Sequence, residues 1–363
     1  MKPMRVRIHA VGDILLAESP YCSGFGIRTL IREKGPGYPF RHVREALAGA
    51  DLVLGNLEAP ISESSPREGI WRDFFRADPE ATAALDDGHF SVVSVANNHI
   101  MEHGEEGFRS TLRHLRERGI LPAGARNGPE VITIGGVRVG FFAYSFIGDP
   151  VAGSLYNRAM DEGPVIGEIA RHRGELDLVV VMLHWGEENV HDPSPEQVRI
   201  GRAIADGGAD IVIGSHPHVI QGYEIHNGKL IAYSLGNFLF ENIVAGTGKT
   251  FIARIDVELP SRAVTVEPVP VVSDRDRYCP KPAEGADRSA ILGLIDTLNR
   301  RIQDVPDADY ARRSGDYGRI ARSAKRRADA QIKLHFLRNI PRYPLAVSSG
   351  IIGSYLRKFR VGP

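Results

Sequence analysis

Two cysteines in 363 residues, Cys22 and Cys279, supply no disulfide framework, and neither sits in a CxxC pair. They read as incidental thiols of a reducing compartment. Also missing is any uninterrupted apolar run long enough to span a membrane. The opening MKPMRVRIHAVGDILLAES is interrupted by His9, Gly12 and Asp13, and its alternation suits a strand better than a signal peptide. A cytoplasmic protein, at most peripheral to a membrane, is the expectation. There is no P-loop, no Rossmann glycine motif and no nucleophile elbow, which removes the common nucleotide-cradle and serine-hydrolase readings. No nucleic-acid partner is expected.

Net charge is lacking as well, since 45 Lys and Arg balance 45 Asp and Glu. The balance is uneven along the chain. From Ala311 onward 13 basic residues face only Asp316 and Asp329, so this tail carries +11 and the first 310 residues carry −11. The stretch IARSAKRRADAQIKLHFLRNI sets Ile320, Ala324, Ala328, Ile332 and Phe336 on a partial helical stripe. It reads either as a helix packed on the acidic body or as a contact for an anionic partner, a membrane surface or an acidic polymer.

What is present is an α/β pattern. Short apolar runs at Val6–Val11, Asp51–Leu54, Ser91–Val95, Leu178–Leu183 and Ile211–Ile213 read as strands buried on both faces. Helical patterns cover Phe40–Ala48, Gly104–Arg118, Asp161–Arg173 and Pro195–Asp206. Turn signals at Gly135–Gly136, Asn227–Gly228 and Pro260–Ser261 mark hairpins, so a mixed sheet or two stacked sheets is expected. Residues 1–272 read as one domain. Residues 273–363 read as a linker, helices over Ser289–Ile302 and Tyr310–Leu337, and the basic tail.

Chemistry in open α/β sheets gathers beyond the carboxyl ends of strands. There the five runs deliver Asp13 (VGD), Asn56 and Glu58 (GNLE), Asn97, Asn98 and His99 (ANNH), His184 and Glu187 (LHWGEE), and His216 and His218 (GSHPH). Alternation along an extended backbone would put the His216 and His218 rings on one side. Imidazoles with carboxylates and an amide oxygen, and no thiolate, suit Mn, Fe or Zn and argue against a structural zinc site. So many donors exceed the needs of one ion and suit two divalent ions sharing a carboxylate.

The stretches AVGDILL, DLVLGNLEAPIS, VVSVANNHIMEHGEEGFRSTLRHLRERGI, VVVMLHWGEE, PSPEQ, ADIVIGSHPHVIQGYE and IAYSLGNFLF resemble the CapA family of poly-γ-glutamate capsule biosynthesis proteins, a branch of the calcineurin-like metallophosphoesterases. The resemblance implies a four-layer α/β/β/α sandwich, here with a C-terminal helical extension. It implies that Asp13, Glu58 (or failing that Asn56), Asn98, His184, His216 and His218 are metal ligands, with Glu58 in the bridging place. Asn98 and His99 would be the catalytic Asn-His pair, the imidazole meeting the leaving group. Asn56, Asn97, Glu187, His191 and Asn237 would support them. Two departures stand out: Leu15 occupies the place of a histidine, and the bridging motif reads Gly55-Asn56-Leu57-Glu58.

The leading expectation is a metal-dependent hydrolase of a phosphorylated small molecule or acidic polymer, with a metal-bridging water as nucleophile and His99 as acid. The alternatives are a non-catalytic accessory that holds an acidic polymer such as polyglutamate, and a metal-assisted amide or peptide hydrolase.

Overall fold

The computed structural model describes residues 4–126, 128–148, 155–273, 277–303 and 314–360. Among them the strands are β1 (Met4–Ile14), β2 (Leu52–Leu57), β3 (Val92–Ser94), β4 (Leu121–Ala123), β5 (Glu130–Ile134), β6 (Val137–Ser145), β7 (Leu178–His184), β8 (Ile211–Ser215), β9 (Tyr223–His226), β10 (Lys229–Ala232), β11 (Asn237–Leu239), β12 (Lys249–Leu259), β13 (Ala263–Ser273) and β14 (Pro280–Pro282). One sheet runs β14-β13-β12-β1-β2-β3-β4, with β11 alongside β1; the other runs β5-β6-β7-β8-β10-β9. β1 to β4 are mutually parallel, as are β6, β7, β8 and β10. The three expected hairpins join β5 to β6, β9 to β10 and β12 to β13.

Side-chain parity explains why the sheets stack. On the second sheet Val139, Phe141, Leu178, Val180, Ile211 and Ile213 point one way and join a core shared with Val6, Ile8 and Ala10 of the first sheet. Their neighbours Phe142, Val179, Val181 and Val212 point the other way and pack under helices. Each of these large side chains contributes about 1.5–3 kcal/mol by leaving water.

The helices are α1 (Ile27–Lys34), α2 (Arg44–Leu47), α3 (Ala83–Asp87), α4 (Gly104–Glu117), α5 (Gly163–His172), α6 (Pro195–Asp206), α7 (Gly285–Gln303), α8 (Ser314–Asn339) and α9 (Leu345–Arg360). α5 and α6 cover the second sheet through Val165, Ile169, Val198 and Ile204. Ile27, Ile31, Leu85, Phe108 and Leu115 of α1, α3 and α4 share a cluster with Leu52, Val53 and Leu54, so the first sheet is buried on both faces. The layers are therefore α/β/β/α, with further helices at the C-terminal end. α6 begins where its sequence says it should: Ser194 and Gln197 form a reciprocal capping box and Pro195 opens the first turn.

Two elements differ from expectation. Only Arg44–Leu47 of the expected helix Phe40–Ala48 is helical. The Phe40 carbonyl accepts from both Val43 and Arg44, each at 3.0 Å, so the first residues close a tight turn while Phe40 is pinned between Phe90 and Phe238. The expected helix Tyr310–Leu337 is seen from Ser314 to Asn339, its first residues lying outside the described ones. No described helix is long and apolar enough to cross a membrane.

Candidate metal centre

The parallel strands of both sheets end at a common edge, and β1 is shaped to place its carboxylate there. Its register against β2 shifts between Ala10 and Asp13, and the Asp13 amide donates to the Gly236 carbonyl at 3.0 Å. A Cβ at Gly12 would stand 1.8 Å from that carbonyl oxygen, so only glycine allows the approach. Asp13 then spans the two sheets: it accepts from the Asn56 amide at 2.8 Å and from the His216 backbone amide at 3.3 and 3.4 Å.

His216 and His218 do not use strand alternation. β8 ends at Ser215, and the two histidines have φ of 93° and 59°. Non-glycine residues held in this region cost about 1–3 kcal/mol each and cluster at functional sites. Pro217 between them cannot donate to a ladder, and the chain turns over Asp13. The turn aims both rings inward, with centroids 5.8 Å apart, and brings the His184 ring within 4.6 Å of His216.

Among the described residues three groups of donor atoms result, each mutually within 4.8 Å: Glu58, His184 and His216; Asp13, Glu58 and His218; and Glu188, His216 and His218. Glu58 belongs to two of them. Its Nε2 partners are both at 3.7 Å, on His184 and on His218. The Asn98 amide oxygen lies 2.8 Å from His184 Nε2, beside the first group. Glu58 is fully buried, yet neither carboxylate oxygen has a hydrogen-bond partner, and neither does His216 Nδ1. Buried carboxylates are ordinarily paired, so these orphaned atoms are what a cation site leaves behind, and the donors fit a divalent metal.

The protonation of the centre points the same way. Burial, followed by neighbouring imidazoles (His216 for His184, His218 for His216), pushes the His184 and His216 imidazoles well below their usual range, which favours the neutral ligand form. Burial would lower His218 too, but the Glu58 and Asp13 carboxylates override it and raise it to about 10. Burial holds the Glu58 carboxyl well above its usual range against the pull of His218.

The remaining candidates fall outside these donor groups. Asn56 serves Asp13, lies 3.3 Å from His184 Nδ1, and receives the Asn97 amide at 3.3 Å. Asn97 also donates to the Leu57 carbonyl and accepts from the His99 amide. Asn237 accepts from His218 Nδ1 at 2.8 Å. His191 Nδ1 is turned to the Ile220 carbonyl. Glu187 is exposed, and its neighbour Glu188 is the carboxylate that approaches His216 and His218. Leu15 is buried in the core, where it offers no donor.

Beside the centre is a cavity of about 200 Å³ whose walls include His99, Glu188, His218, Asn237, Phe240 and Glu241. His99 stacks on Phe75 at 4.7 Å, with the rings within 12° of parallel, and its Nδ1 lies 3.1 Å from Glu102. Glu102 also pairs with Arg67. Burial would raise the Glu102 carboxyl, but the His99 hydrogen bond and the His99 and Arg67 charges hold it below its usual value. Glu102, Glu188 and Phe75 are absent from the sequence reading. His99-x-x-Glu102 was the available signal for the first, since residues three apart in a tight turn face each other.

Stacked sheets with helices outside, and nitrogen and oxygen donors converging where parallel strands end, define an α/β/β/α sandwich class with a candidate metal centre at the strand edge. Within that class it belongs to the bacterial capsule synthesis protein family PGA_cap, whose sequence profile matches residues 7–242. It is 33% identical over 251 residues to the capsule biosynthesis protein CapA of Bacillus anthracis, covering 64% of this chain and 59% of that protein. It is 32% identical over 250 residues to the PGA biosynthesis protein CapA of Bacillus subtilis (strain 168), covering 64% and 62%. The chain thus spans about three-fifths of the length of these relatives. A 5'-nucleotidase from Candida albicans SC5314 is a loose structural likeness, with a TM-score of 0.41 at 11% identity over 82% of this chain and 57% of that one.

Proposed function

We propose that the chain is a metal-dependent hydrolase of a phosphate ester or related anhydride that serves capsule or poly-γ-glutamate-type polymer synthesis. One observation carries the reading. Glu58, fully buried with both oxygens unpartnered, is shared by the His184–His216 group and the Asp13–His218 group. A carboxylate shared in this way suits two divalent ions, Mn, Fe or Zn, held by Asp13, Glu58, Asn98, His184, His216 and His218. When bound, such ions supply Lewis acidity and lower the pKa of water for attack at phosphorus.

The chain's own contribution is orientation and a proton. His99 gives its Nδ1 hydrogen to Glu102, which leaves Nε2 as the nitrogen able to serve a leaving oxygen in the cavity. Phe75 fixes the ring from its face. Among the described residues the cavity walls contain Glu188 and Glu241 and no Lys or Arg.

Purified protein, loaded with Mn, Fe or Zn and quantified for metal, is to be assayed against phosphomonoesters, phosphodiesters and γ-glutamyl peptides. Release of phosphate or alcohol that disappears in Glu58→Ala supports the proposal. Cleavage of γ-glutamyl peptides instead makes the protein an amide hydrolase. A fully loaded protein inert on the whole panel favours the accessory reading.

A further inference from the structure

The C-terminal helices have two faces with different surroundings. Inward, Phe336, Tyr343, Val347 and Ile351 form a small core with Phe74 and pack on Tyr21, Phe25 and Phe75. His335 and Tyr343 both reach the Tyr21 carbonyl, at 3.0 and 2.7 Å, and Ile332 forms part of the cavity wall. α8 is thus tied to the body beside the proposed site.

Outward, Leu334 is 46% exposed, Leu337 61% and Leu345 87%. They surround the turn from α8 to α9 and interleave with exposed Lys333 and Arg338. One α8 turn and more toward its start lie exposed Lys325, Arg326 and Arg327. Among the described residues no carboxylate forms a salt bridge with any of these five cations. A protruding leucine gains nothing from water or from a polyanion. The acidic body of the chain would satisfy the charges and leave the leucines wet. A surface with acyl chains beneath anionic headgroups satisfies both kinds of group at once.

We infer that the outer face of α8 and the α8–α9 turn, centred on Leu334, Leu337 and Leu345 with Lys333 and Arg338, is a docking surface for an anionic lipid membrane. The helices lie on the surface and do not cross it, consistent with their length and apolarity. Because Ile332 lies on the same helix, a docked protein holds its cavity near the headgroups.

The test is flotation of the full chain with vesicles of phosphatidylcholine alone and with added phosphatidylglycerol, at low and high salt. Co-flotation with the anionic vesicles only, weakened by salt, is expected. Leu337→Asp with Leu345→Asp, and separately Lys333→Glu with Arg338→Glu, should each lower the bound fraction by about tenfold or more, while metal content and melting temperature stay at the parent values. Because these side chains are solvent-exposed, the folded state is not at risk, and the milder Leu337→Ser with Leu345→Ser repeats the test with a smaller expected loss. Absence of binding to anionic vesicles at low salt overturns the inference. So does binding that the charge reversals abolish and the leucine substitutions leave intact, together with equal binding to polyglutamate, since that marks a polyanion site. A concentration-dependent dimer dissolved by the leucine substitutions, with no vesicle binding, assigns the face to a second copy of the chain and likewise overturns it.

Discussion

The amide oxygen of Asn237 lies 2.8 Å from Nδ1 of His218, and this contact decides which nitrogen of the ring is offered to the centre. With Nδ1–H given to Asn237, Nε2 is left facing Glu58 at 3.7 Å. Asn237 is in turn held by its own amide on the Asn242 side chain at 3.1 Å, and by its register opposite Asp13. A contact that fixes tautomer and ring orientation typically contributes 10–100-fold to metal affinity. Asn237→Leu should therefore weaken metal binding by about that factor with little change in melting temperature of the metal-free protein, as read by chelator competition. Unchanged affinity would mean that His218 is oriented by Asp13 alone.

Metal uptake should release protons. In the metal-free centre His218 is raised to about 10 by Glu58 and Asp13, and the Glu58 carboxyl is also raised, by burial. The His218 shift means that this imidazole holds a proton at pH 7, whereas a bound cation requires it neutral. Affinity should accordingly rise with pH from 6 toward 9 and fall as the solution is acidified. Titration calorimetry in two buffers of different ionisation enthalpy measures the released protons directly. A heat independent of buffer would show that the donors are already deprotonated.

Gly12→Ala tests how closely β1 must approach the chain that enters β11. The added Cβ meets the Gly236 carbonyl oxygen at 1.8 Å, and a backbone atom has no rotamer by which to retreat. Overpacking of this kind costs about 1–3 kcal/mol, and the displaced strand is the one that carries Asp13. Lower melting temperature and weaker metal binding should appear together. A variant that melts like the parent would mean that β1 and β11 can separate without cost.

The strand-end pattern was legible because buried parallel strands read as unbroken apolar runs, so the residue after each run marks the edge. Asp13, Glu58, His184, His216 and His218 follow from that alone. Loop geometry did not follow. His216 and His218 reach the centre through a left-handed turn over Pro217, a conformation with no sequence period. Asn189, also at positive φ, follows Glu188, which is exposed like Glu187 but lines the cavity and comes within reach of His216 and His218; adjacent acids in a turn cannot be distinguished by spacing. The stripe Ile320, Ala324, Ala328, Ile332 and Phe336 was readable as one helix face. Ala324, Ala328 and Phe336 are buried and Ile332 reaches the cavity, while Ile320 stays 44% exposed. Which leucines protrude on the opposite side depended on the packing of α9, which the sequence does not encode locally.

The last prediction separates acid from ligand. His99 lines the cavity but belongs to none of the donor groups within 4.8 Å of one another, so His99→Ala should keep its full complement of metal. If His99 is the proton donor of the proposed reaction, turnover should drop by about 10²–10⁴-fold with KM little changed. Among the described residues the Glu102 carboxylate pairs with the Nδ1 side of the His99 ring and with Arg67, so it acts through orientation. Glu102→Gln preserves shape and a hydrogen-bond acceptor, and Glu102→Ala removes both; the expected order of activity is parent, Gln, Ala, then His99→Ala, with metal content constant across the series. Inductively coupled plasma analysis beside steady-state kinetics on the phosphoester identified by the panel gives both readouts. Loss of metal in step with activity would make His99 a ligand, and a Glu102→Ala variant as active as the parent would remove Glu102 from the positioning of the acid.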